Sequence, residues 1–487
     1  MSVQDASVGG TVPVSRKHAA GDGVAARWAE FGAQMRHCRR RARLTQHQLG
    51  QLVGYHHSLI SKWESGTRAP TARAVADLER SLSAEGTLSP LIASADEQGR
   101  PPLTPLGAVL AGPLPGGGEG RPATPDGAAD DWPDRLAPGG CPVHAADQAC
   151  AVPPFGDLSQ LTDRMRAARE AAAPAAAEPD LVHLVLALLD RCEYSALRST
   201  STTVLGTVEH VLRALAAWGE VVNAAGRSPL ALVRIAANYA QLAGRLRMQR
   251  GQGALAMAWA SHGLRWAEAV GDTTTRVTLT TDLCTLARLD GDGPSALGYA
   301  RAVAGLGGRA GWIATVAHMY QARGYAAIGD GAECRRRAAL GRSALGRLSG
   351  RDLAEAPWLA DGQGQLRVES AVAGGLRDLA VLTGDRATAR SASEAALLAL
   401  EQVPVAMLPT RLLLTLRLAD CQAGAGELDA ALDMVGPVVE QAVAARRRTI
   451  SQELAGLYDH LTGTWGGVRE VRDFRERVRA ARESAGA

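Results

Sequence analysis

The residues best suited to coordination chemistry sit in CPVHAADQAC, which holds Cys141, His144 and Cys150. Thiolate and imidazole are good zinc ligands, but a closed structural site takes four, usually in tighter pairs. No fourth Cys or His lies nearby in sequence, so neither a metal site nor a cofactor is expected. Cys192, Cys284 and Cys334 fall on helical faces, where cysteine acts as a small apolar residue. GRAGWIATVAHMYQARGY lacks the Lys-Ser/Thr that follows the glycines of a phosphate-binding loop. No paired carboxylates, nucleophile elbow or metal-ligand helix stands out, so no catalytic residue is assigned and the chain is not expected to be an enzyme. The remaining concentration of chemistry is cationic. It lies in Arg39, Arg40, Arg41 and Arg43.

Charge is distributed unevenly. The formal net charge is +3, yet Arg27–Leu82 carries ten Arg/Lys against four Asp/Glu, a local +6 that leaves −3 for the rest. A basic module on a mildly acidic body suggests a polyanionic partner at one end only. The 53 basic residues include only two lysines, Lys17 and Lys62, a bias that reads as genomic composition rather than function. Seven scattered cysteines argue against a disulfide framework and fit a reducing compartment. No leader-like N-terminus or membrane-length apolar run is found, so an internal, cytoplasmic protein is expected.

At 487 residues the chain should divide into two or three domains. Apolar residues make up 46% and aromatics only 4%, which favours close-packed helices over sheets. The expected organisation is all-α: a disordered tail over 1–26, a helical module over 27–95, a disordered linker over 96–156 and a helical-repeat body over 157–482. The linker assignment rests on 12 of the 23 prolines falling between Pro101 and Pro154, together with GGGEG at Gly116–Gly120. Pro and Gly at that density oppose both helix and core formation. If flexible, those residues would span roughly 40 Å.

In the body a phrase recurs: a Gly, a polar residue, three positions, then a small residue. It occurs at Gly251/Ala256, Gly291/Ala296, Gly329/Cys334, Gly384/Ala389 and Gly426/Ala431, with small residues four further on at Ala260, Ala300, Ala338 and Ser393. Gly permits a turn, and small residues at i and i+4 let two helices approach closely. Recurrence at about 40 residues signals a helical-repeat array. It resembles the tetratricopeptide repeat, with Tyr325 standing where that motif carries its tyrosine and APWLADGQGQ at Ala356–Gln365 as an insertion.

In the N-terminal module, Met35, Cys38 and Ala42 form an apolar stripe on a basic helix. Thr45 is a good N-cap for a second helix with Leu49, Leu52 and Val53 as its buried face, and Gly54 permits the turn. A third helix is expected from about His57 to Glu64, burying Ile60 and Trp63, then Gly66, Pro70 and a fourth helix carrying Val75, Leu78 and Leu82. The segment resembles the Cro/cI-type (XRE-family) helix-turn-helix, through Gly32, Arg36, Arg39, Leu44, Thr45, Gln46, Leu49, Gly54, Ile60, Ser61, Trp63, Glu64, Gly66 and Pro70. It departs from that pattern at Met35, Gly50, His56 and Arg43, the last replacing a usual Gly.

That resemblance implies a third helix in the DNA major groove, with His57, Ser58, Ser61 and Lys62 facing the groove and Gln46 contacting a phosphate. Arg40 and Arg41 would face the DNA backbone, and Arg39 and Glu64 would form an internal ion pair. The architecture is similar to actinobacterial regulators of this type with tetratricopeptide-like bodies. The expected partners are double-stranded DNA, a second copy of the chain, and a peptide, small molecule or protein on the repeats, with no membrane. Nucleoid association would follow. The alternative is a protein-interaction scaffold with a vestigial helix-turn-helix.

Overall fold

The structure is a computed structural model that describes residues 31–65, 70, 72–82, 84, 87–88, 109–110, 113–116, 122, 132–137, 139–144, 150–171, 178–199, 204–307 and 310–486. The expected tail and Gly66 lie outside these residues. The chain divides into two compact units, Met1–Leu103 and Thr104–Ala487. The architecture is all-α: among the described residues the only extended pairing is a single antiparallel bridge, Arg135 to Ala151. No described helix is long and apolar enough to cross a membrane.

The first unit contains α1 (described over 31–41), α2 (Gln46–Val53), α3 (His57–Glu64) and α4 (Ala72–Leu82). Thr45 begins α2 with a reciprocal cap: its hydroxyl accepts from the Gln48 amide, and the Gln48 side chain accepts from the Thr45 amide at 2.9 Å. Gly54 ends it at φ 73°, a left-handed conformation without steric cost for glycine. Phe31, Met35, Cys38, Leu49, Ile60, Trp63, Val75, Leu78 and Leu82 make the core. Two expected core positions are not there. Ala42 falls in the turn after α1 and is exposed, and Leu52 is 61% exposed because an eight-residue helix presents only Leu49 and half-buried Val53 inward.

The second unit opens with α5 (Leu158–Glu170), α6 (Pro179–Arg198) and α7 (Leu205–Ala224). Antiparallel pairs follow: α8 (Leu230–Gln249) with α9 (Gly253–Ala269), α10 (Thr273–Leu289) with α11 (Gly293–Leu306), and α12 (Gly311–Ala327) with α13 (Gly331–Leu345). After the short α14 (Gly350–Glu355) come α15 (Asp361–Thr383) with α16 (Arg386–Glu401), then α17 (Leu408–Ala425) with α18 (Leu428–Val435). The chain ends in α19 (Val439–Ala444), α20 (Arg448–Trp465) and α21 (Arg469–Gly486).

The recurring phrase is the chemistry of the hairpin turn. Gly251, Gly291, Gly329, Gly384 and Gly426 all take φ between 65° and 90° between the two helices of a pair. The polar residue that follows is the N-cap of the next helix, and in three cases its side chain makes the cap. The carboxylates of Asp292, Asp330 and Asp385 accept backbone N–H groups at the start of α11, α13 and α16. The small residues Ala256, Ala296, Cys334, Ala389 and Ala431 are buried where the paired helices meet. Two further glycines, Gly226 and Gly271, make the same turn between pairs, so the repeat is denser than the phrase alone suggested.

The array curls until its end meets its beginning. Arg447 donates to the Ala196 and Ser199 carbonyls, Arg448 to the Leu289 carbonyl and Asp290, and Thr449 to Gln249 at 2.9 Å. Part of the expected linker also belongs to this unit. Val109 and Leu110 are buried in its core, the Trp266 indole donates to the Val109 carbonyl at 2.9 Å, and Trp132 stacks on Phe155. A high density of proline and glycine did not keep these residues out of the core.

A charged network joins α15, α17 and α20. Glu453 contacts Arg417 at 2.6 Å and Arg377 at 3.0 Å, while Arg377 also reaches Asp420 at 3.1 Å. Burial alone would raise the Glu453 carboxyl, but Arg377 and Arg417 outweigh it and hold it at about 2. A carboxyl depressed in this way contributes stability above its unfolded value of 4.5, and that contribution fades as pH falls towards about 2. Glu453→Gln is expected to cost about 3–5 kcal/mol at neutral pH by taking the carboxylate away from buried Arg417. Urea denaturation should show this deficit at pH 7 and a much smaller one near pH 2.

Candidate nucleic-acid interface

The first unit is arranged around one carboxylate. Glu64, the last residue of α3, has a side chain 1% exposed. Its Oε1 accepts from Arg39 Nε at 2.5 Å, and its Oε2 accepts from Arg39 Nη2 at 3.1 Å and from Gln46 Nε2 at 2.8 Å. Arg36 lies 3.5 Å from Oε2 and donates to the Glu64 carbonyl at 2.8 Å. One carboxylate therefore ties α1, α2 and α3 together. Desolvation pushes its pKa up, but hydrogen bonds from Arg39 and Gln46 and the nearby positive charges prevail and lower it.

Close backbone approach completes the scaffold. A Cβ at Gly32 would stand 2.5 Å from the Glu64 carbonyl oxygen and 2.6 Å from that of Trp63, so α1 can pass the end of α3 only with glycine there. Tyr55 packs edge-on against Trp63 at 5.1 Å. With Ile60, Trp63 and Glu64 buried and Leu59 packed against the core, the polar side of α3 faces outward.

His57, Ser58, Ser61 and Lys62 are all exposed on α3, and Arg40 and Arg41 are exposed at the end of α1. These six therefore present polar and cationic groups to solvent. Gln46 is half-buried at the start of α2, and its side-chain amide nitrogen donates to Glu64 Oε2 at 2.8 Å. His56 begins α3, its Nδ1 lying 2.8 Å from the Ser58 hydroxyl and 3.4 Å from the Ser58 amide, so imidazole replaces the hydroxyl cap. His47 was not singled out in the sequence. Its ring lies 5.8 Å from that of His57, and His57 lies 4.2 Å from His56, which forms a histidine group at the tip of α3. Nothing in the spacing of an α2 residue announces that meeting.

Residues 30–89 match the family model of a helix-turn-helix domain. The first unit has a helix-turn-helix fold. Neither the comparison with curated proteins nor that with solved structures finds a significant match for the chain. The helix-turn-helix brings His57, Ser58, Ser61 and Lys62 to one exposed helix, with the Arg39–Glu64 pair beneath them.

The second unit has a cavity of about 1490 Å³. Arg234, Arg245, Arg367, Glu193 and Asp282 line it with both signs of charge, and Trp312, Trp358 and Tyr320 supply aromatic surface. Burial pushes the Glu193 and Asp282 carboxyls up, with Arg245 opposing the rise in both. Sequence reasoning missed this site because its residues come from seven helices and from segments between them.

Two outcomes test the scaffold. Glu64→Ala should cost about 3–5 kcal/mol, lowering the melting temperature of the helix-turn-helix in calorimetry of the full chain. Arg43 ends α1 at φ 57°, where a side chain costs about 1–2 kcal/mol relative to glycine. Arg43→Gly should therefore raise that transition, by about 1 kcal/mol after glycine's larger unfolded-state entropy is deducted.

Proposed function

We propose that this chain is a sequence-specific DNA-binding transcriptional regulator that acts in the cytoplasm on the nucleoid. The observation that carries the reading is the outer face of α3. Its donors and acceptors at His57, Ser58, Ser61 and Lys62 are exposed on a helix whose inner face is locked by Ile60, Trp63 and Glu64. A helix of this kind presents side chains to base edges in the major groove, where each base pair offers a distinct donor and acceptor pattern. Arg40 and Arg41 supply phosphate contacts that fix position without reading sequence. The resemblance to the XRE family and the matched helix-turn-helix model support the same assignment.

The second unit is read as the regulatory part, a tetratricopeptide-like array rather than an enzyme. The hairpin turns and buried small residues support that likeness, and the polar, aromatic-lined cavity supports binding of a small molecule or peptide. One helix-turn-helix covers few base pairs, so useful specificity calls for two copies on half-sites about 34 Å apart. Dimerisation through the second unit would supply them. Val381, Leu382, Leu397 and Leu398 are exposed apolar residues available for such an interface.

Selection from randomised DNA with the full chain should enrich one motif, and failure to enrich any motif would count against the reading. Lys62→Ala should cost about 1–3 kcal/mol on that motif and little on random DNA. Arg40→Ala and Arg41→Ala should weaken both equally and flatten the salt dependence. Residues 104–487 alone are expected to sediment as a dimer.

A further inference from the structure

We propose that Cys141, His144, Cys150 and His183 form a structural zinc site that clasps the 134–152 loop onto α6. In sequence only the first three were visible, and a fourth ligand was not expected. The structure supplies it from α6, 33 residues beyond Cys150, and the thiol and imidazole atoms all lie within 4.8 Å of one another.

The sulfur–nitrogen spacings are close to those of a coordination tetrahedron. Cys141 Sγ lies 3.5 Å from His144 Nδ1 and 3.4 Å from His183 Nε2, and His144 Nδ1 lies 3.2 Å from Cys150 Sγ. Zinc–sulfur bonds of about 2.3 Å and zinc–nitrogen bonds of about 2.0–2.1 Å at tetrahedral angles would separate sulfur from nitrogen by about 3.5–3.6 Å. Hydrogen bonding alone explains the group poorly, because a thiol is a weak donor and a weak acceptor. Two sulfurs and two imidazoles instead make a donor set that suits zinc.

The surroundings are built for the purpose. Cys141, Cys150 and His183 are 9%, 5% and 4% exposed, which leaves no open position for a substrate and marks a structural rather than a catalytic site. The Arg135–Ala151 bridge closes the loop. The Leu136 amide donates to the Cys150 carbonyl at 3.0 Å and the Val152 amide to the Asp134 carbonyl at 2.8 Å. The Val143 amide points to Cys141 Sγ at 3.4 Å, an outer-shell contact that steadies a thiolate ligand. His183 is held between Val182 and Leu184, both in the hydrophobic core, so the helix fixes its position.

The clasp has a structural consequence. Gly139 and Gly140, beside Cys141, line the large cavity together with Leu189 and Glu193 of α6. Zinc would hold that wall in place. This role concerns the architecture of the second unit and stands whether or not the chain reads DNA.

The full chain, purified without chelators or a histidine tag, is expected to carry one zinc ion per chain by plasma mass spectrometry. Cobalt substitution should give a tetrahedral ligand-field spectrum with thiolate-to-cobalt charge transfer. Cys150→Ser and His183→Gln should each weaken zinc binding at least about tenfold, whereas Cys192→Ser, which lies outside the cluster, should retain it. Chelation should expose the 134–152 loop to protease. The proposal is overturned if the reduced chain neither contains nor takes up zinc, if His183→Gln keeps full occupancy, or if mass spectrometry finds Cys141 disulfide-bonded to Cys150. Should the ligand variants fail to fold, the cobalt spectrum of the unaltered chain decides, and absence of thiolate charge transfer rejects the site.

Discussion

The helix-turn-helix depends on the burial of one negative charge. Glu64 leaves water at the end of α3, and the cost of that desolvation can be recovered only if several donors converge on it. Arg39 meets both carboxylate oxygens, Gln46 meets one, and Arg36 takes the carbonyl of the same residue. Those donors come from α1 and α2, so satisfying the charge fixes all three helices at once. The outer face of α3 then inherits its orientation from an interaction made on the opposite side. The buried charge beneath the exposed polar residues holds their helix in one orientation.

The second unit uses the same physics in a different arrangement. Its hairpins are set locally, by a left-handed glycine that ends one helix and, in several cases, an aspartate that begins the next. Its helix packing is reinforced by buried charge. Glu209 pairs with Arg247 through two hydrogen bonds at 2.7 and 2.8 Å and accepts the Trp259 indole, and Glu453 does similar work between α15, α17 and α20. Such groups contribute specificity of packing because any other arrangement of these helices would leave them unpaired. Alanine-rich interfaces need that help, since small side chains fit many registers about equally well.

Curling brings together residues that no local rule relates. The cavity combines arginines, carboxylates and aromatic rings, and the hydrogen bonds of Arg447 and Arg448 to the α6 and α10 ends hold the array closed around its interior. Val109 and Leu110 join the core of this unit, and Trp132 and Phe155 pack against it.

The sequence by itself determined what depends on neighbours in the chain. Thr45, Gly54 and the Gly-Asp turns specify helix ends through hydrogen bonds and backbone angles within a few residues, and the periodicity of Met35, Cys38, Leu49, Ile60 and Trp63 marks a core. The all-α class and the helix-turn-helix were legible for that reason. Leu52 and Ala42 were misplaced because apolar character says that a residue can be buried, whereas helix length and the turn decide whether it is. Gln46 turned inward to a carboxylate 18 residues away, and His47 met His57 across a turn. The burial of Val109 and Leu110 was hidden because they stand in a segment rich in proline and glycine. His183 joined Cys141 across 42 residues of sequence, beyond any motif spacing. These contacts belong to the tertiary structure alone, because they follow from how whole helices stack, and stacking is decided by the sum of many weak contacts rather than by any one of them.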